Sequence, residues 1–248
     1  MKNILHLKKE QQQLMPLFDG AFIENKPIPF PDRGKTTAYS SLFYWAHLEA
    51  FDTSAFPLHP HEGFEIMTFI LKGQGEHYDT ATKVWTPLKA GDVQVIQAGS
   101  GVQHAEKIIK GTEAFQIWFD PDFSKSLFKD AGYQDYPSSN FKTKQIDGIE
   151  RLVYLGDEGV INHDTPNIGI EKLHFNKGDF SYELDKNFTY SLYLLDGEIS
   201  IDEVKMDKED FLVFDSTSRV NFKVENEAEL FVIKTLTNIG YPLFKDRY

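Results

Sequence analysis

A chain of 248 residues is long enough for one large β domain or two compact ones, because single hydrophobic cores stop growing near this size. Its 38 acidic residues against 26 basic ones leave a net charge of −12, which repels phosphate backbones and anionic bilayers, so neither direct nucleic-acid binding nor membrane attachment is expected. With no cysteine, disulfide frameworks, thiolate metal sites and cysteine nucleophiles are excluded, and any metal must rest on His, Asp or Glu.

The first residues, MKNILHLKKEQQQL, are basic, but their apolar core is short and broken by His6, which does not read as a secretory signal. The longest clean apolar run, Ile66 to Leu71, falls far short of the ~20 residues of a spanning helix. The expectation is a soluble, cytoplasmic monomer. Most of the remaining chain is short segments rich in Val, Ile, Phe, Tyr and Thr, punctuated by Gly, Pro and Asp, the pattern of strands joined by turns. Examples in chain order are FEIMTFILKGQGEHYD, GDVQVIQAGSG, AFQIWFD, FTYSLYLLDGEISID and DFLVFDS. No long amphipathic helix separates them, which argues against a parallel α/β fold. One short helix is predicted, Phe123 to Phe128, after Pro121.

That helix opens the least strand-like stretch, residues 121 to 148, which reads as an inter-domain connection. The chain repeats itself on either side of it. In each half an apolar strand ends at a glycine turn, Gly73 or Gly197, and a later turn, Gly91-Asp92 or Glu209-Asp210, launches a second strand. The predicted fold class is therefore all-β, with an N-terminal domain over 1–135 and a C-terminal domain over 136–248, each a small sandwich or barrel. A barrel of this size encloses room for one small ligand.

The chemistry-bearing pattern lies in the first half. In PLHPHEGFE, His59 and His61 share one strand face, about 6.6 Å apart along the chain. In AGSGVQHAEKI, His104 and Glu106 have the same spacing. Alone, a His-x-His pair is more often a half-exposed strand end. Two such pairs from two strands give three imidazoles and a carboxylate, a donor set for a divalent first-row metal with positions left open. Glu65 competes for the fourth place, but extended chain would put it about 13 Å from His61 unless Gly63 marks a bend. His77 and Asp79 read as solvated turn residues or as partners of the ligands. His6, His47, His163 and His174 lack companions at ligand spacing and read as structural. Overlaying the second half puts Glu183 and Asp185 at the places of His59 and His61, and Phe222 and Val224 at those of His104 and Glu106, so the C-terminal domain is expected to hold no metal.

The segments HPHEGFEIMTFILKG, EHYDT, AGDVQVIQAGSGVQHAE and FQIWFD together resemble the N-terminal domain of the pirin family, most closely over residues 56 to 120. The resemblance implies a bicupin, two cupin barrels (double-stranded β-helices) in tandem. It implies a single ion held by His59, His61, His104 and Glu106, and so favours Glu106 over Glu65. Iron(II) is the metal it implies first, with manganese, nickel, cobalt, copper or zinc as substitutes. Family members are associated with quercetin 2,3-dioxygenase activity and, in some cases, with regulation through a protein partner. On the enzymatic reading the partners are a small aromatic substrate and O2. Glu106 would then be the catalytic base for the flavonol 3-hydroxyl, in an apolar pocket where Gln94 and Gln116, polar residues inside apolar strands, are the candidate substrate contacts. A cupin acting on sugars or carboxylic acids would want cations at the metal, and Lys83, Lys89 and Lys107 are expected to face outward.

Overall fold

The computed structural model describes residues 2–31 and 34–244. Within it the chain forms two units. One holds Gln12–Asn140 together with His163–Pro166 and the described residues from Gly240 onward. The other holds the chain up to Gln11 with Phe141–Asn162 and Asn167–Ile239. Nearly every element in both is a β-strand, and among the described residues no helix is long and apolar enough to cross a membrane.

The two units repeat one plan. In the first, a seven-stranded sheet runs in the order Gly132–Tyr136, Val93–Gln97, Glu65–Lys72, Glu113–Phe119, Leu42–Ala50, Phe22–Pro29, Gln13–Leu17. A four-stranded sheet accompanies it, in the order Ser54–His61, Val102–Ile108, Gln74–Asp79, Trp85–Lys89. In the second, the seven-stranded order is Lys2–Leu7, Phe211–Asp215, Phe188–Gly197, Ala228–Leu236, Ile168–Phe175, Ile149–Leu155, Thr143–Ile146. Its four-stranded sheet runs Gly178–Glu183, Arg219–Val224, Ile199–Ile201, Val204–Met206. The plans differ at one edge strand, which comes from residues 132–136 in one unit and from the chain's first strand in the other. The expected repeat is thus a repeat of whole sheets. Even its turns correspond: the Asp92 carboxylate accepts the Lys89 N–H at 3.1 Å, and the Asp210 carboxylate accepts the Asp207 N–H at 3.0 Å.

Sequence and burial agree strand by strand. Central strands such as EIMTFILK are mostly apolar without alternation because six consecutive residues are buried, Glu65 and Thr68 being the polar ones among them. Strands of the smaller sheets, such as RVNFKV, alternate buried and exposed, with one face in the core and one in solvent.

Two expectations are corrected. The stretch 121–148 is not a bare connection: Gly132–Tyr136 and Thr143–Ile146 are strands within it. Both lie at sheet edges, and Tyr136 is the one buried residue between them, so their composition lacks the apolar bias of inner strands. The helix is shorter than expected, Phe123–Ser126, opened by the Asp122 carboxylate accepting the Ser124 N–H at 3.1 Å.

Candidate metal centre

The antiparallel pairing of Ser54–His61 with Val102–Ile108 sets His59 directly opposite His104, and His61 opposite Val102. Beyond that point the ladder slips. Glu106 pairs with Phe56, so Ser54–His61 carries one extra residue around Pro57-Leu58, a bulge that proline tolerates because it has no N–H to lose. The three imidazoles converge: ring centroids lie 4.2 Å apart for His59 and His104, and 4.8 Å apart for His61 with either partner. One ligand atom from each ring falls within 4.8 Å of the others.

These nitrogens are set up to bind. The His59 Nδ1–H donates to the Pro57 carbonyl at 2.8 Å, which fixes the tautomer and leaves the Nε2 lone pair free. His61 Nε2 and both nitrogens of His104 are buried without a hydrogen-bond partner. Burial pulls the His104 pKa down to about 2, with the neighbouring His59, His61 and His77 adding to it, and pulls His61 down to about 4, helped by His59. Both rings are therefore neutral ligands throughout the physiological range. Buried nitrogens on His61 and His104 without partners cost stability unless something fills the gap, and with His59 the donor set suits a divalent first-row ion.

Glu106 stands apart from the three. Its carboxylate is buried, and Gln116 Nε2 donates to both oxygens at 3.0 and 3.2 Å. Burial pushes its pKa up to about 7, against the Gln116 hydrogen bond and with the help of the Glu24 charge. The structure thus brings together three of the four expected ligands and holds the fourth one step along the same strand. Gln116 acts on Glu106, while Gln94 Nε2 donates to the Tyr133 hydroxyl and to Asp135, both at 3.4 Å. Neither glutamine lines the cavity of about 690 Å³ at His61, whose walls include Pro60, Glu62, Thr80, Ser100 and Gln103. That lining is more polar than expected. The apolar side of the site is instead aromatic: Phe64 and Trp118 lie 5.2 and 5.3 Å from the His61 ring.

Glu65 is turned to another task. It accepts the backbone N–H groups of Asp164 and Thr165 at 2.5 and 2.7 Å, and the Thr165 hydroxyl, which binds segment 163–166 to this unit. His77 and Asp79 are buried, not solvated, because their strand pairs with Val102–Ile108 and sets Asp79 opposite His104. Asp79 accepts the N–H groups of Ala81 and Thr82 at 2.7 and 2.6 Å. His77 stacks on Tyr133 at 4.7 Å and lies 5.4 Å from His104. Strand pairing brings His77 to that neighbour, in keeping with the second of its two expected roles. Of the other histidines, His6 pairs with Asp210 at 3.0 Å, and His163 donates to the Thr165 carbonyl at 2.6 Å.

In the second unit, Phe222 pairs with Phe180 as His104 pairs with His59, which makes Tyr182 the counterpart of His61. The overlay on Glu183 and Asp185 is therefore three residues out of register. The corresponding cluster is aromatic, with Tyr182 and Phe222 rings 5.9 Å apart.

Residues 35–119, which carry all these imidazoles, match the pirin family model. This stretch is a pirin domain. A pirin-like protein of Caulobacter vibrioides is 39% identical to the chain over 85 residues, which span 34% of the chain and 36% of that relative. A Zymomonas mobilis protein provisionally named a quercetin 2,3-dioxygenase is 28% identical over 188 residues, covering 73% of the chain and 77% of the relative. The structure of the bacterial pirin YhhW of Escherichia coli, in complex with nickel(II), superposes with a TM-score of 0.79 at 17% identity, covering 95% of this chain and 100% of that one. The fold is that of a bicupin, with the pirin domain as its first cupin.

Proposed function

We propose that this protein is a metal-dependent dioxygenase of the quercetin 2,3-dioxygenase type, in which His59, His61 and His104 hold one divalent ion, iron(II) first among the candidates, and Glu106 serves as fourth ligand and catalytic base. The observation that carries the reading is the convergence of three imidazoles, two of them with buried nitrogens that no hydrogen bond satisfies, beside an open cleft of about 690 Å³. The provisional name of the Zymomonas relative supports the substrate class, and the nickel(II) of YhhW supports an ion on this fold.

When bound, the ion would supply Lewis acidity toward an ionised flavonol and O2. The chain's own contribution is proton handling and exclusion of water. With its pKa raised to about 7, Glu106 is strong enough as a base to take a phenolic proton and weak enough to return it near neutral pH. Gln116 fixes that carboxyl through both oxygens and tempers its rise. Trp118, stacked against Tyr44 at 4.2 Å and against Phe64 at 5.2 Å, forms an aromatic wall on one side of His61.

The test is turnover: protein loaded with iron(II) is mixed with quercetin in air, while flavonol absorbance, O2 uptake and carbon monoxide are followed. Flavonol loss matched by O2 uptake and by carbon monoxide supports the reading. A metal-loaded protein that consumes neither substrate refutes it and leaves a metal-binding bicupin of another role.

A further inference from the structure

The barrel of the second unit is packed with apolar side chains along most of its interior, including Leu173, Leu192, Leu194 and Leu230. At one end the inward-facing positions turn polar. Register places Val153, Glu171 and Val232 side by side, and in the next rank Gly169, Lys234 and Tyr190. Since Val232 and Tyr190 belong to the core, their cross-strand partners share the interior face. These residues and Arg151 line a cavity of about 220 Å³.

The two cations there differ. Arg151 is neutralised: its Nε and Nη2 donate to Glu171 at 2.8 and 2.6 Å, and Nη2 reaches the Tyr182 hydroxyl at 3.1 Å. Lys234 has no carboxylate partner among the described residues; its ammonium lies over the Phe188 ring, 5.2 Å from the centroid. Its stem crosses Gly169, where an added Cβ would stand 2.5 Å from the lysine Cε. A glycine inside a strand weakens it, and here it leaves the room in which this lysine lies. The Tyr190 hydroxyl accepts the Asp185 N–H at 2.8 Å, which leaves its own proton to donate. Two carboxylates also line the cavity: Glu158 is paired with Lys144 at 2.6 Å, and Asp157 is exposed, where water and salt screen it. The half-buried Lys234 ammonium is thus the cation of this lining that no carboxylate among the described residues neutralises.

We propose that this cavity is a binding site for a small organic carboxylate, with the Lys234 ammonium and the Tyr190 hydroxyl as its anchors. At about 30 Å³ per water the space equals roughly seven waters, which suits a compact acid such as a benzoate and not a bicyclic ligand. The site is separate from the histidine cluster and does not depend on the dioxygenase reading.

The probe is 4-fluorobenzoate, titrated into the full-length protein and followed by fluorine NMR. Saturable line broadening is expected, weakened at least 10-fold by Lys234→Met and also weakened by Gly169→Ala, whose methyl displaces the lysine. Lys234→Gln keeps the stem and removes only the charge, so it carries the test if the methionine variant fails to fold. Binding should survive His61→Ala. Failure to saturate by about 10 mM, a far weaker interaction than a built site gives, overturns the proposal. So does unchanged affinity in both Lys234 variants, or loss of binding in His61→Ala, which would put the probe in the other barrel.

Discussion

His59 and His104 face each other across one rung of an antiparallel ladder, with ring centroids 4.2 Å apart. Two imidazoles are brought this close only where something else repays the lost solvation, since His104 is fully buried and neither of its nitrogens has a hydrogen-bond partner. Replacing His104 with Ala is expected to lower metal affinity by more than the ~10–100-fold carried by the outer partners of a ligand. Metal analysis after dialysis, with circular dichroism to verify the fold, checks this. Equal metal content in His104→Ala and wild type would remove the cluster from consideration as a metal site.

Whether Glu106 joins the ion can be read from protons. Its pKa of about 7 means that at pH 6 most of the carboxyl is protonated, so binding an ion would expel that proton. His61 and His104, held neutral down to about pH 4 and about pH 2, contribute none. Calorimetry at pH 6 in buffers of different ionisation enthalpy should therefore show wild type releasing nearly one proton more than Glu106→Gln. The difference should fade above pH 8, where Glu106 is already ionised. Equal release at pH 6 would leave Glu106 as a base outside the coordination sphere.

Glu65 predicts a purely structural effect. It accepts two backbone N–H groups and a hydroxyl from residues 164 and 165, and an amide at this position would turn an NH2 group toward some of those donors. Glu65→Gln should cost about 1–3 kcal/mol, the range for leaving buried donors unsatisfied, by denaturant unfolding. Limited proteolysis should cut near residues 163–166 before anywhere else in this unit. Loss of metal with unchanged stability would contradict this assignment and restore Glu65 as a ligand.

The fold and the three histidines were legible because both rest on period-two spacing: alternation names the strands, and His-x-His and His-x-Glu name one face of two of them. What spacing cannot show is register between strands. The bulge that separates Glu106 from His104 in the ladder comes from an extra residue in the partner strand, and nothing in the string HAE records it. For the same reason the second-half overlay fell on Glu183 and Asp185 instead of Phe180 and Tyr182. The hydrogen-bond partners of Glu65 and Gln116 were not legible because Thr165 and Glu106 are 100 and 10 residues away in sequence. Edge strands such as Gly132–Tyr136 escaped because a half-exposed strand carries a composition close to that of a loop.

Gly63 links the histidines to the packing beneath them. It follows His61 by two residues with φ of +87°, and a Cβ there would stand 2.6 Å from Cε2 of the buried Phe123. Gly20 has the same φ of +87° but no atom within 4 Å of its would-be Cβ, so it isolates the backbone cost from the collision. Gly20→Ala should cost on the order of 1 kcal/mol from the left-handed conformation alone. Gly63→Ala should cost about 1–3 kcal/mol more, the overpacking range, because the ring cannot move without disturbing Phe64 and the apolar cluster they share. Since that cluster backs His61, the same variant should weaken metal binding while Gly20→Ala leaves it intact. Equal destabilisation of the two variants in denaturant unfolding would mean that Phe123 yields freely and that the turn after His61 is not held by it.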